Sequence, residues 1–308
     1  MSAGKVVAGG AVGVALGTLL GFFVLAPNID GGPDRVVGDS RDELAAATSE
    51  RDTASAENDA ADGIIAAAAP DLVRDALKDR PVLVISTADA DAVTVEATRT
   101  VLDAAGAVNA GDLRLTEAFT DQDKGDELKT IAASSLPAKA KLSEDRRDPG
   151  YHAGELLGQA LGEGRDGGAA ASDSDRGLAL GALEKGGFLT YDPDSVRPAA
   201  AVVVVTGDAD GGDGDPGSYS TRMVADMATA LDATTGGVVL SGGRDAADAG
   251  GALGLVRGDK AATAAVSTVD NGDRAAGRVT VVRALVEQLA GKAGSYGTAP
   301  NAAAATVK

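Results

Sequence analysis

The 308-residue chain contains no cysteine and no tryptophan, a single histidine, and only 3% aromatic residues. Without cysteine, no disulfide staples the fold and thiolate metal sites are excluded. With so few aromatics, the core has to be built from Ala, Val and Leu, which suits an α/β domain better than an aromatic-rich β-barrel. Positive charge is also scarce. Forty-six acidic against twenty-eight basic residues give a net charge of −18, which argues against nucleic acid and anionic lipid as partners. One histidine, His152, leaves little for nucleophilic catalysis, and Walker and dinucleotide glycine motifs are absent. The chain therefore reads as non-enzymatic, with no resident cofactor.

What is abundant comes first in the chain. An apolar run covers 6–26 with Thr18 its only polar side chain, enough as a helix for ~31 Å. Gly9, Gly13, Gly17 and Gly21 recur every fourth residue within it, a spacing that lets a second helix approach closely. We expect a transmembrane anchor over 1–26, with a cleaved signal peptide as the alternative. Lys5 before the run and Asp30 and Asp34 after it put the N-terminus in the cytoplasm and the main domain outside the cytoplasmic membrane. Residues 27–36 are expected as a linker.

A second small-residue pattern occupies the expected stalk, 37–75. Leu44, Ala47, Arg51, Ala54, Asn58, Ala61, Ile65, Ala68 and Leu72 alternate spacings of 3 and 4, the seam of a coiled coil. The d positions are all alanine, and Arg51 and Asn58 at a would fix register while costing stability. A lone helix packing its stripe on its own domain is the alternative. Self-association through Gly9, Gly13, Gly17, Gly21, Leu44, Ala47, Ala54, Asn58, Ala61 and Ile65 is the expectation. Pro70 and Pro81 are expected to end the helix.

From residue 81 the texture changes to strand–helix alternation. Strands are expected at 82–86, 112–118, 187–191, 200–206, 237–241 and 264–268. Helices are expected at 91–105, 124–134, 151–161, 176–185, 220–233 and 275–290. The strands are continuous apolar runs, as required when helices cover both faces, so a mostly parallel doubly wound α/β domain is expected over 81–297. Residues 162–175 read as a low-complexity loop and 298–308 as a disordered tail.

Ligands of open α/β sheets sit beyond the C-terminal strand ends. After AVVVVT come Asp208, Asp210, Asp213 and Asp215 in a glycine-rich loop, either a hard-cation site or a solvated acidic turn. Gly242 and Gly243 before Arg244 and Asp245 would suit an anion or an ordinary tight turn. Asp270, Asn271 and Asp273 form a third polar end or a plain Asx turn. Met223 and Met227, four residues apart on one helix, are either two thioethers of a soft-metal site or core filler. His152 is expected on an exposed helix face.

Several segments resemble the MctB-type copper transport proteins of actinobacterial envelopes: STVDNGDRAAGRVTVVRALVEQLAGKAGSYG (267–297), GFLTY (187–191), DPGYHAGELLG (148–158) and LRLTEAFTD (113–121). The order of anchor, coiled coil and α/β domain is shared, so the resemblance covers nearly the whole chain. It implies a pore-forming envelope protein that limits intracellular copper, with copper as the transported ion. Some relatives act in a division-associated complex, which implies an envelope or division protein as an alternative partner. This chain departs from the family in carrying Ser295, where relatives tend to have histidine, before Tyr296. The resemblance therefore carries over no metal ligand.

Overall fold

A computed structural model describes residues 33–163, 168, 171–212 and 218–308. The chain divides into two units, Met1–Gly63 and Ile64–Lys308. The described part of the first unit is helical, part of the long helix α1 (Pro33–Val73). Helix α1 starts within the expected linker and continues through Pro70. A proline there forfeits a backbone hydrogen bond and costs about 3 kcal/mol. Burial on either side of Pro70 offsets that cost, because Ala69 and Val73 are both in the core of the second unit. Residues 44–61 are exposed throughout, whereas Ile65 is partly buried against that core.

The second unit holds a seven-stranded sheet in the order β3-β2-β1-β4-β5-β6-β7. Its strands are β1 (Pro81–Ser86), β2 (Val108–Leu115), β3 (Leu189–Tyr191), β4 (Ala201–Val205), β5 (Val238–Ser241), β6 (Ser267–Val269) and β7 (Ser295–Tyr296). The helices between them are α2 (Ala92–Ala104), α3 (Gly125–Ser134), α4 (Pro149–Leu161), α5 (Asp173–Lys185), α6 (Tyr219–Asp232), α7 (Ala252–Gly258), α8 (Lys260–Ala265) and α9 (Ala275–Leu289).

Alternate residues of one apolar strand feed two cores, which is why the strands read as unbroken hydrophobic runs. Leu83, Ile85, Val202 and Val204 join α4, α5 and α6 on one face. Val82, Val84, Val203 and Val205 join α2, α9 and the end of α1 on the other. The closest helix packing is between α4 and α6. A methyl group on Gly150 would lie 2.5 Å from the Met223 carbonyl oxygen, and one on Gly154 2.5 Å from that of Met227. The helices can approach this closely only because α4 presents hydrogen atoms at those positions.

The expected fold needs several corrections. The sheet is mixed, because β3 pairs antiparallel with β2 while the other strands run parallel. Among the described residues no helix is long and apolar enough to cross a membrane. The expected span over 6–26, with Gly9, Gly13, Gly17 and Gly21, lies outside the described residues. Residues 298–308 are no disordered tail: Ala299 and Val307 are buried, and the amide of Gly297 donates to the Ala304 carbonyl at 3.0 Å. Helix α5 starts inside the expected 162–175 loop, capped by Ser172, whose hydroxyl accepts from the Asp175 amide. Helix α8 occupies 260–265, which shifts β6 to the end of the run expected as a strand.

Candidate functional site

The sheet's connections run outward in both directions from the adjacent pair β1 and β4, so the crevice beyond their C-terminal ends is the topological switch point. A cavity of about 250 Å³ lies there. Thr87 and Asp89 enter it from the end of β1, Thr206 from β4, Glu117 and Thr120 from the 3₁₀ turn after β2, and Ser220 and Thr221 from the first turn of α6. Thr87 and Thr206 are buried, with hydroxyls 3.5 Å apart, and form the polar floor. The Thr87 hydroxyl donates to Asp89 at 2.5 Å, and the Thr221 hydroxyl donates to the Gly250 carbonyl at 2.7 Å. Asp89 and Glu117 are exposed at the rim.

The neighbouring loops hold the residues singled out from sequence. Asp208 accepts the Asp245 amide at 2.7 Å and the Ala246 amide at 3.1 Å through one oxygen. The carboxylate thus supplies the anion that the Gly242–Gly243 turn is suited to receive, and two candidates read separately are one intramolecular contact. Burial raises the Asp208 pKa above the ordinary carboxylate range, against the two backbone hydrogen bonds. Asp210 accepts the Gly212 amide at 2.9 Å. Asp213 and Asp215 lie outside the described residues. Among the described residues no group of three or more His, Cys, Asp or Glu side chains could hold a metal ion.

Met223 and Met227 are buried on α6, with their backbones against Gly150 and Gly154 of α4. His152 is buried, not exposed, and its Nε2 lies 3.1 Å from the Ser143 carbonyl. Burial raises the Asp226 pKa, opposed by Arg146, whose Nη2 donates to Asp226 at 2.5 Å.

Asp270 is the centre of a buried network. Arg257 donates from Nη1 to Asp270 at 2.8 Å, and the two side chains are 3% and 0% exposed. Arg257 also donates to the Thr268 hydroxyl, the Tyr296 carbonyl and Asn301. Asp270 accepts the Thr298 amide at 2.6 Å and the Ala299 amide at 3.1 Å. Gly297, at φ +130°, passes so near that a methyl group would lie 2.1 Å from the Asp270 carboxylate, so only glycine fits. The STVDN and SYG segments are thus two halves of one ion-pair cage. Ser295, buried in β7, contributes its carbonyl to this region by accepting the Ala303 amide at 2.8 Å. Among the described residues around it no metal-binding group forms.

The family model described as "Copper transport outer membrane protein, MctB" matches residues 6–307. The chain belongs to the MctB family. The copper transporter MctB of Mycobacterium tuberculosis is 34% identical over 264 residues, covering 84% of this chain and 83% of that protein. The copper transporter MctB of Mycobacterium leprae is 33% identical over 243 residues, covering 77% and 76%. The MctB family is thus described by transport and by an outer-membrane setting, and its description names no enzymatic class.

Sequence reasoning passed over the crevice residues. The run Ser86-Thr87-Ala88-Asp89 directly follows the apolar strand VLVI, and it was the available signal. Arg257 carried no such signal, since its partner arrives only through the fold.

Proposed function

We propose that this chain is a non-enzymatic cell-envelope protein that takes part in copper transport and homeostasis. The observation that carries the reading is the family match over 6–307 together with 34% identity to a named copper transporter across 84% of the chain. Copper is then cargo and not a resident cofactor. The donor set is consistent with that: cysteine is absent, His152 is committed to a backbone carbonyl, and Met223 and Met227 are closed into the core.

Self-association through α1 belongs to the same reading. Leu44 is 69% exposed, and residues 44–61 leave the predicted seam uncovered. An isolated helix of this length, with alanine at the d positions, gains most of its stability by pairing. Asn58→Leu in the full chain should strengthen the pair, shifting its sedimentation midpoint to lower concentration. A chain that remains monomeric at high concentration refutes the pairing.

A deletion strain should be more sensitive to copper than its parent and be restored by the intact gene. Unchanged copper sensitivity in the deletion refutes the transport reading.

A further inference from the structure

We infer that the crevice between the ends of β1 and β4 binds a small polyhydroxylated amine, an amino-sugar-like molecule. The position is where doubly wound sheets receive ligands, and the cavity of about 250 Å³ admits one small molecule. Its chemistry selects among them. Thr87, Thr120, Thr206, Ser220, Asp89 and Glu117 line the space, with no lysine, arginine or histidine among the described lining residues, and the Thr87 and Thr120 hydroxyls already donate to Asp89 and to the Glu117 carbonyl.

Such a lining disfavours phosphates and nucleotides. An anion there would meet two carboxylates with no countercharge, on a chain already at −18. Carboxylates accept hydrogen bonds and cannot donate them, so the complementary ligand is rich in donors. An ammonium group satisfies Asp89 and Glu117 at the rim, and ligand hydroxyls exchange hydrogen bonds with the threonine floor.

Soft-metal binding is disfavoured by the same lining, which offers oxygen donors only. Asp208 is not among the described lining residues, and one of its oxygens is held by the amides of Asp245 and Ala246.

The test is titration of the full chain with D-glucosamine, D-glucose and D-glucose 6-phosphate, followed by amide chemical shifts in NMR. Glucosamine should bind saturably, moving Thr87, Thr206 and Ser220, and glucose more weakly. Glucose 6-phosphate should not bind. Asp89→Asn and Glu117→Gln should each weaken glucosamine at least about tenfold, the effect of losing one charge-assisted hydrogen bond. Both residues are exposed and an asparagine amide oxygen can still accept the Thr87 hydroxyl, so the variants should keep the parent's thermal midpoint and remaining spectrum. No saturation by glucosamine, glucose binding as tightly as glucosamine, tighter binding of glucose 6-phosphate, or undiminished affinity in both variants would each overturn the assignment.

Discussion

Gly154→Ala and Gly181→Ala make the same chemical change in the interiors of two helices and should move stability in opposite directions. Intrinsic propensity favours alanine over glycine in a helix by about 0.8–1 kcal/mol. At Gly181 of α5 nothing lies within 4 Å of the added methyl, so that gain should be realised almost in full. At Gly154 of α4 the methyl meets the Met227 carbonyl oxygen at 2.5 Å, the Ala230 methyl at 2.8 Å and the Met227 Cα at 2.9 Å. These are backbone and short side-chain atoms of α6, which cannot swing aside as the end of a long side chain would. Relief requires α4 and α6 to part by about 0.9 Å, opening a seam along close-packed atoms. Overpacking of this kind costs typically about 1–3 kcal/mol, and here nearer the top because Gly150 and Gly158 close the same interface on either side.

The clash therefore outweighs the propensity gain, for a net loss of about 2 kcal/mol at Gly154. In a unit of this size 1 kcal/mol moves Tm by about 2–4 °C. Calorimetry should show Gly154→Ala melting about 4–8 °C below the parent and Gly181→Ala about 2–4 °C above it. A Gly154→Ala protein that melts at or above the parent would refute the close α4–α6 contact.

Two further expectations concern the ion-pair cage and its neighbour. Asp270→Asn leaves Arg257 buried without a countercharge and should cost about 3–5 kcal/mol in denaturant unfolding, and the loss in the double variant Asp270→Asn/Arg257→Met should fall short of the sum of the two single losses. A double-variant loss equal to the sum of the two single losses would show that the pair is not coupled. Tyr296 donates from its hydroxyl to Glu287, and burial with that carboxylate pushes its pKa up to about 12. The folded state thus keeps a proton that the unfolded chain releases near pH 10, so the tyrosine's contribution is full below about pH 10 and is lost as pH rises toward about 12. Tyr296→Phe should flatten this alkaline decline, and identical slopes for the two proteins would exclude Tyr296 as its source.

The strands that read most clearly, 82–86 and 200–206, did so because burial on both faces leaves no polar alternation to blur them. Strand direction was less legible. GFLTY reads as a strand either way, and only its pairing with 113–115 makes it antiparallel. The segment 260–269 failed locally because alanine is common in both element types, and the Asp259 cap decides in favour of helix α8. Order in the final residues was illegible for a different reason. Nothing in TAPNAAAATVK signals it, and it comes from Asp270, almost thirty residues earlier in the chain, and from Arg257. By contrast the ladder Gly150, Gly154, Gly158 and Gly162 was readable and overlooked, although its spacing repeats that of Gly9 to Gly21. In α4 that spacing serves the contact with α6, so the same sequence device has a use inside this domain.

The candidate site was half legible. The polar ends after β4, β5 and β6 were found, but the end of β1, which completes the crevice, was treated only as the end of a strand. What could not be foreseen was mutual neutralisation, because Asp208 and the Gly242–Gly243 turn satisfy each other only once β4 and β5 are neighbours.

The sheet ends in the short strand β3 on one side and is closed by irregular backbone beside β7 on the other. Beside β2, β3 covers only the last three residues, and the amide of Arg197 then reaches the Ala110 carbonyl at 2.9 Å. Beside β7, the stretch ending at Ala304 takes up Ser295 and Gly297 in the same way. Beside β7 the positions at which another chain would continue the ladder are thus taken, and at the other edge β3 offers only three residues. A crowded compartment is full of extended peptides seeking such a template. With edges this short the domain should resist strand invasion and amyloid-like stacking, which leaves helices and loops for its encounters with other proteins.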